Sequence, residues 1–497
     1  MKRNFKIAVS SLLTAATVLS MTACDQSSGG SNIDITTNAD YVPLQEYIAT
    51  VKDDFVNSLS GTKNADMTID KKIKVLNWWV VDETQAAAEL FKQVYGIPEE
   101  GSSAYGDTFA NSIFVTDNVA YADRYTRLAS LVTSGDSPDL FQFEIINFPY
   151  SAAMGLFQPL DDYIDFSNPI WDPTRDVMKQ FAWDNKNYVA VTGLAMESIL
   201  WYRRSVCAEA GIEDPYELFK EGKWDWNTFM DMCEKFSDPD NNKFAIDGYH
   251  IPDNLVLTTG VPLIEIKDGK LSQNFYNADI ERAVTNLVEV LSKQNYRKPR
   301  NNDVGWNTDL GAWARGNTLF FEGLENDIKD SFQPYFTRMK WEDNDLWFVP
   351  YPKDPNSGDT YYQSMRIGNF MLCGGAKNPM GYAAWQLCCM FAENDKNSDM
   401  VGREQLKTNY VGYTDEWFDW LNSCKMDGIF TPVFEFKGGI GQDVADSNSA
   451  SAPVNAILNV PYLDMDMDGE PATFSTIRQA NEALLNDRLK ALNEGTL

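Results

Sequence analysis

One histidine in 497 residues, His250, sets the first limit on the chemistry of this chain. A zinc site built on several histidines and a multi-histidine proton relay are both excluded, although a single-histidine triad is not. His250 itself lies in the turn-like "DGYHIP". Apart from Cys24 there are six cysteines, Cys207, Cys233, Cys373, Cys388, Cys389 and Cys424, and none stands in a C-x-x-C pair. Neither a structural zinc nor a thioredoxin-like motif is indicated, and no cofactor is implied. Basic residues are scarce too: 42 Lys and Arg face 72 Asp and Glu, a formal charge of −30. Such a chain repels nucleic acid and anionic lipid surfaces, so neither is expected as a partner. Beyond the N-terminal segment no run approaches eighteen apolar residues, which leaves no candidate for a membrane span.

The N-terminus is different. "MKRNFK" places Lys2, Arg3 and Lys6 ahead of an apolar segment that runs to about Met21, the charged and hydrophobic parts of a secretory signal. The segment is short for a membrane span. "MTAC", ending at Cys24, resembles a bacterial lipobox with Met21 where Leu is usual. In a lipobox the cysteine thiol is acylated and becomes the mature N-terminus. Two acyl chains, at about 0.8 kcal/mol per buried CH₂, would hold the protein on a membrane. Residues 1–23 are therefore read as a lipoprotein signal peptide. Residues 24–69 follow as a polar tether, "DQSSGGSNIDITTNAD", and a lead-in helix. Removing residues 1–23 takes away three of the 42 basic residues and none of the 72 acidic ones, and the charge moves to about −33. Outside the cell disulfides are permitted, but spacing alone does not assign them.

The body alternates strand-like and helix-like segments. "KIKVLNWWVV" is rich in β-branched and aromatic residues, and "ETQAAAELFKQVY" after it has helical character. "NVAYADRYTRLASLVTSG" places Tyr121, Tyr125, Leu128 and Val132 on one helical face and ends at Gly135, a C-terminal cap. "SPDLFQF" then restarts a strand. This order predicts an α/β fold with helices covering a mostly parallel sheet. About 430 residues remain beyond the lead-in, more than one core usually serves, so two lobes are expected. In "AAWQLCCMF", Cys388 and Cys389 read as small apolar members of a buried helix. "DMDMDG", residues 464–469, opens like an EF-hand loop, but Ser475 holds the twelfth position in place of a bidentate Glu; a solvated turn is the favoured reading over calcium.

From residue 127 the pattern becomes specific. "RLASLVTSGDSPDLFQFEIINFPYSAAMGLFQPLDDYIDF" resembles the signature of family 1 extracellular solute-binding proteins, the sugar-binding lipoproteins of ABC importers related to maltose-binding protein. Further elements follow in that family's order. They are "VTGLAMESILWYRRSVCAEAGI", with Arg203 at the usual Asn position, then "GKWDWNTFMDMCEKF", "AWARGNTLFFEG", "WFVPYPKDPNSG" and "GGAKNPMGYAAWQLCCMF". The resemblance implies a type II periplasmic-binding-protein fold, two α/β lobes joined by a hinge with the ligand in the cleft. Lobe 1 is placed at residues 70–192 with 366–405, and lobe 2 at 193–365 with 406–497. The first crossing falls near Ala190 to Leu194 and the second near Gln363 to Ile367.

A sugar offers apolar C–H faces and a rim of hydroxyls, so its site needs aromatic plates beside carboxylates, amides and arginines. Trp78, Trp79 and Asp82 fall at the end of the first strand, where one Trp of the pair would face the cleft. The resemblance aligns Phe143 with a cleft aromatic and Asn147 with a cleft arginine of the family, with Glu144 between them. It places a ligand carboxylate just after the first crossing, at Glu197. Glu322 and Glu325 follow a strand end in "FFEGLEND", while Tyr361, Tyr362 and Arg366 flank the second crossing and offer plates and a bidentate donor. The function so implied is a monomeric, membrane-anchored binding protein, not an enzyme, which captures a sugar or oligosaccharide for separate ABC permease subunits. Two other classes stay open: an extracellular carbohydrate-active hydrolase, which also pairs carboxylates with cleft aromatics, and a receptor of the same fold for a non-sugar solute.

Overall fold

A computed structural model describes residues 41–78, 85–96, 112–299, 308–393, 396–426, 428–446, 449, 451–463, 466–467 and 470–497. The signal segment, Cys24, Trp79, Asp82 and most of "DMDMDG" lie outside the described residues.

Eleven strands carry the architecture. In chain order they are β1 (Ile73–Asn77), β2 (Phe114–Asn118), β3 (Leu140–Gln142), β4 (Gly193–Met196), β5 (Ile199–Arg203) and β6 (Phe244–Asp247). There follow β7 (Thr318–Gly323), β8 (Leu346–Val349), β9 (Tyr362–Gly368), β10 (Phe370–Leu372) and β11 (Thr431–Val433). A first sheet runs in the order β10-β3-β1-β2, and a second in the order β8-β5-β7-β6. Between them a three-stranded ribbon, β11-β9-β4, joins the two.

The first sheet is mostly parallel, as the sequence predicts: β1 runs parallel to β2 and to β3, and β10 alone is antiparallel. The second departs from that expectation. There β5 is antiparallel to both β7 and β8, and only β6 and β7 are parallel. The reason is delivery. The ribbon hands the chain to β5 at the edge where β7 ends, since Ile199 pairs with Gly323, so β5 has to run away from an edge that β6 and β7 approach.

Helices cover the first sheet where apolar spacing directs them. In α1 (Leu44–Ser60) the ring of Phe55 is fully buried between Tyr95 and Phe391. In α2 (Gln85–Tyr95), Leu90 and Phe91 face the core. The helix α3 (Arg124–Ser134) ends at Gly135, whose φ of 74° is left-handed, and the N–H of Asp136 returns to the carbonyl of Leu131 at 3.0 Å. In α4 (Pro379–Glu393), Cys388 and Cys389 are buried, and no disulfide joins any of the six described cysteines. Among the described residues no helix is long and apolar enough to cross a membrane.

Two motif residues fasten this layer. Asp139, of "SGDSPD", accepts the N–H of Lys74 in β1 at 2.8 Å and that of Asn378 at 3.0 Å. The Asn378 side chain in turn accepts from the N–H groups of Asp70 and Gly381 and donates to the carbonyls of Asp70 and Lys72. Asn378→Ala strands buried backbone groups, at about 1–3 kcal/mol for an unsatisfied group. A loss of about 3 kcal/mol in urea unfolding is expected, and a change below about 0.5 kcal/mol would mean that water replaces the side chain at no cost.

Candidate ligand-binding cleft

The ribbon leaves a cleft beside it with a cavity of about 180 Å³. Its walls come from separated parts of the chain. Ile145 and Ile146 stand just after β3, Glu197 just after β4, and Ser364 and Met365 on β9. The helix α5 (Ile251–Leu257) contributes Asp253 and Asn254, the segment after β11 contributes Glu435 and Lys437, and the helix α6 (Pro453–Leu463) contributes Asn455 and Asn459.

Glu197 is the expected site residue that lines this cavity. Its backbone N–H bonds the carbonyl of Ser364 at 3.1 Å, which fixes it to β9. Burial raises its carboxyl above the usual range, opposed by the nearby Arg366 guanidinium. Arg366 is itself 9% exposed, and its Nε and Nη2 make no hydrogen bond among the described residues. Nη2 stands 4.0 Å from Glu325, a gap too long for a hydrogen bond. Glu325 is held by Lys425 at 2.9 Å through one oxygen, and its other oxygen has no partner among the described residues. Glu322 is buried behind the wall and fully engaged, accepting from Ser198 at 2.7 Å, Asn254 at 3.1 Å and the N–H of His250 at 2.6 Å.

The other expected residues divide into two groups. Trp78 and Glu144 sit at the C-terminal ends of β1 and β3, on the edge where ligands of open α/β sheets bind. Arg124 ties them together: it forks onto Glu144 at 2.7 and 3.0 Å, and its guanidinium lies 5.2 Å from the Trp78 ring and 3.6 Å from that of Tyr121. Tyr121 and Arg124 went unselected in the sequence because nothing in their spacing separates them from ordinary helix-face residues. Asn147 is buried at the end of a short turn, Ile145–Asn147. The second group does not line this cavity. Phe143 is buried against Phe148 and Phe181 at 5.7 and 5.5 Å, in an aromatic core. Tyr361 packs on Phe219 and Phe430 and donates to the carbonyl of Tyr351, while the Tyr362 ring lies flat against Gly260.

Sequence reading also passed over the wall after β11. Its signal was the alternation in "FEFKGG", two rings and two charges ahead of a glycine pair. Glu435 accepts the N–H groups of Leu263, Ile264 and Lys437 at 2.8, 3.1 and 2.9 Å, and Lys437 pairs with Asp253. Burial dominates and pushes the Glu435 carboxyl up to about 7, with Asp253 adding to the rise and Lys437 opposing it. The folded protein therefore keeps a proton that the unfolded chain releases near its ordinary value, and this stabilisation is lost as pH rises through about 7. The melting temperature of the native chain relative to Glu435→Gln should thus fall between pH 5 and pH 8. A constant difference would mean that Glu435 titrates as it does in water.

Residues 114–387 match the family model of bacterial extracellular solute-binding proteins, and the chain belongs to that family. Solved structures of similar shape include the ABC substrate-binding protein Lmo0181 of Listeria monocytogenes in complex with cycloalternan. It is 13% identical at a TM-score of 0.55, over 84% of this chain and 99% of that one. The galacto-N-biose-/lacto-N-biose I-binding protein of a Bifidobacterium longum ABC transporter, in complex with lacto-N-biose, is 11% identical at 0.56, over 85% and 97%. The GacH receptor of Streptomyces glaucescens, solved unliganded and with acarbose, is 14% identical at 0.53, over 84% and 99%. Together they establish the expected fold, a type II periplasmic-binding-protein fold of two α/β lobes joined at a hinge. A comparison with curated proteins finds no match.

Proposed function

We propose that the protein captures a sugar or oligosaccharide in this cleft and delivers it to the permease of an ABC importer. The observation that carries the reading is the Glu197 and Arg366 pair. The carboxylate lines the cleft, and the guanidinium near it has two donor nitrogens without partners among the described residues. An acceptor carboxylate near a guanidinium with two unpartnered nitrogens suits a ligand that both donates and accepts. A sugar hydroxyl does both. The edge formed by Trp78, Arg124 and Glu144 supplies an aromatic surface for a second ring. Structural relatives solved with cycloalternan, lacto-N-biose and acarbose support a saccharide by analogy of fold.

In this reading lobe 1 spans residues 70–192 with 366–405, lobe 2 spans 193–365 with 406–497, and Cys24 carries the lipid that keeps the receptor on the outer face of the membrane as a monomer. Binding without catalysis is favoured over hydrolysis because Glu322, the carboxylate behind Glu197, is already saturated by three donors and is poorly placed to exchange a proton with substrate.

A thermal-shift screen of mono- and oligosaccharides tests the ligand class, since a ligand at 100 times its dissociation constant stabilises by about 2.7 kcal/mol. Glu197→Gln and Arg366→Gln should each weaken the best hit about tenfold in calorimetric titration, some 1.4 kcal/mol. Unchanged affinity in both variants would place the ligand elsewhere, and turnover of the bound saccharide would favour the hydrolase. Cys24→Ala should leave the protein unprocessed or released; full membrane retention with normal processing would refute the anchor.

A further inference from the structure

The cavity wall after β11 raises a mechanical question that ligand binding leaves unanswered. The rings and the charges of "FEFK", residues 434–437, face different neighbours as the chain passes from β11 into a short helical turn, Lys437–Ile440. Phe434 and Phe436 enter the aromatic core beside the first sheet, with ring centroids 4.7 and 5.3 Å from Phe181, and Phe436 lies 6.4 Å from Phe148. Glu435 and Lys437 grip the other side. The first accepts from the N–H groups of Leu263 and Ile264, and the second pairs with Asp253 of α5. The N–H of Phe436 adds a bond to the carbonyl of Ile264 at 3.1 Å.

The glycine pair then brings backbone onto backbone. A Cβ at Gly438 would stand 2.9 Å from Cα of Ile146, and one at Gly439 would stand 1.7 Å from the carbonyl oxygen of Phe148. No side chain fits at either position. One stretch of chain is thus pressed against the segment that follows β3 and hydrogen-bonded to the body that carries the second sheet. Its start, β11, is the outer strand of the joining ribbon, pairing Thr431 with Tyr362.

We propose that residues 431–439 form a non-covalent tie between the lobes, in addition to the segments that cross between them, and that this tie sets the pivot of the cleft and limits how far it opens before solute arrives. Wider opening must either draw two phenyl rings out of a buried cluster or pull Glu435 and Lys437 from their partners on the far side. Both events expose groups that are costly to strand, apolar rings in water or buried N–H groups without acceptors. A hinge bending around this segment disturbs neither. The inference does not depend on which solute binds.

The test measures the spread of the lobes without ligand. Nitroxide labels at Asp176→Cys and Asp240→Cys, both exposed and on opposite lobes, report one distance by pulsed electron resonance in a full chain carrying Cys24→Ala; the six buried thiols stay in place. Two variants loosen the tie without changing a polar group of the cleft. Phe436→Ala removes a ring, and Gly438→Ala drives a methyl group against Ile146. Each should shift the distance distribution to longer values and broaden it, while circular dichroism shows both variants folded. If Phe436→Ala does not fold, Phe436→Leu takes its place with a smaller shift of the same sign. A distribution that matches the parent in the folded ring variant and in Gly438→Ala overturns the proposal.

Discussion

Everything in this molecule hangs on one antiparallel pairing, that of β4 with β9, which matches Met196 with Met365 and Gly193 with Gly368. The chain passes from the first sheet to the second at β4 and returns to the first at β9, so the pairing fixes where these two passages lie. It also explains the mixed second sheet. A strand delivered at the cleft edge has one direction open to it, and β5 takes that direction against its neighbours. The same pairing seats Glu197 and Arg366 close together while their backbones are committed to the ribbon. The Arg366 guanidinium is left there with two nitrogens short of partners among the described residues.

Much of the fold was legible because it rests on local signals. The strand at "KIKVLN", the helix through "AAAELF", the left-handed cap at Gly135 and the buried "AAWQLCCMF" helix each follow from periodicity or from one glycine. The two expected crossings rest on a different signal, an ordered set of motifs. The antiparallel setting of β5 was not, because strand direction depends on where the preceding segment ends in space.

The site was legible in part. Glu197 lines the cavity, and Arg366, anticipated beside the second crossing, lies close behind it. Phe143 carries the same aromatic character as a cleft plate, yet its ring completes a cluster with Phe148 and Phe181, and composition cannot separate the two uses. Glu435, Lys437 and Asn459 were passed over because their wall is assembled from C-terminal segments far from β4 in sequence. Only the alternation in "FEFK" hints at a stretch with two different neighbours.

Six buried cysteines, none of them in a disulfide, give the fold an internal record of its own opening. Each thiol is buried, so a small alkylating reagent reaches it only while the surrounding helix or strand is transiently exposed. Cys388 and Cys389 sit under the first sheet, and Cys207 and Cys233 lie in helices of the second body, Arg204–Glu209 and Trp226–Phe236. Their labelling rates therefore time the breathing of each body separately. No covalent bridge joins these positions, and the integrity of both bodies depends on packing alone around each of them.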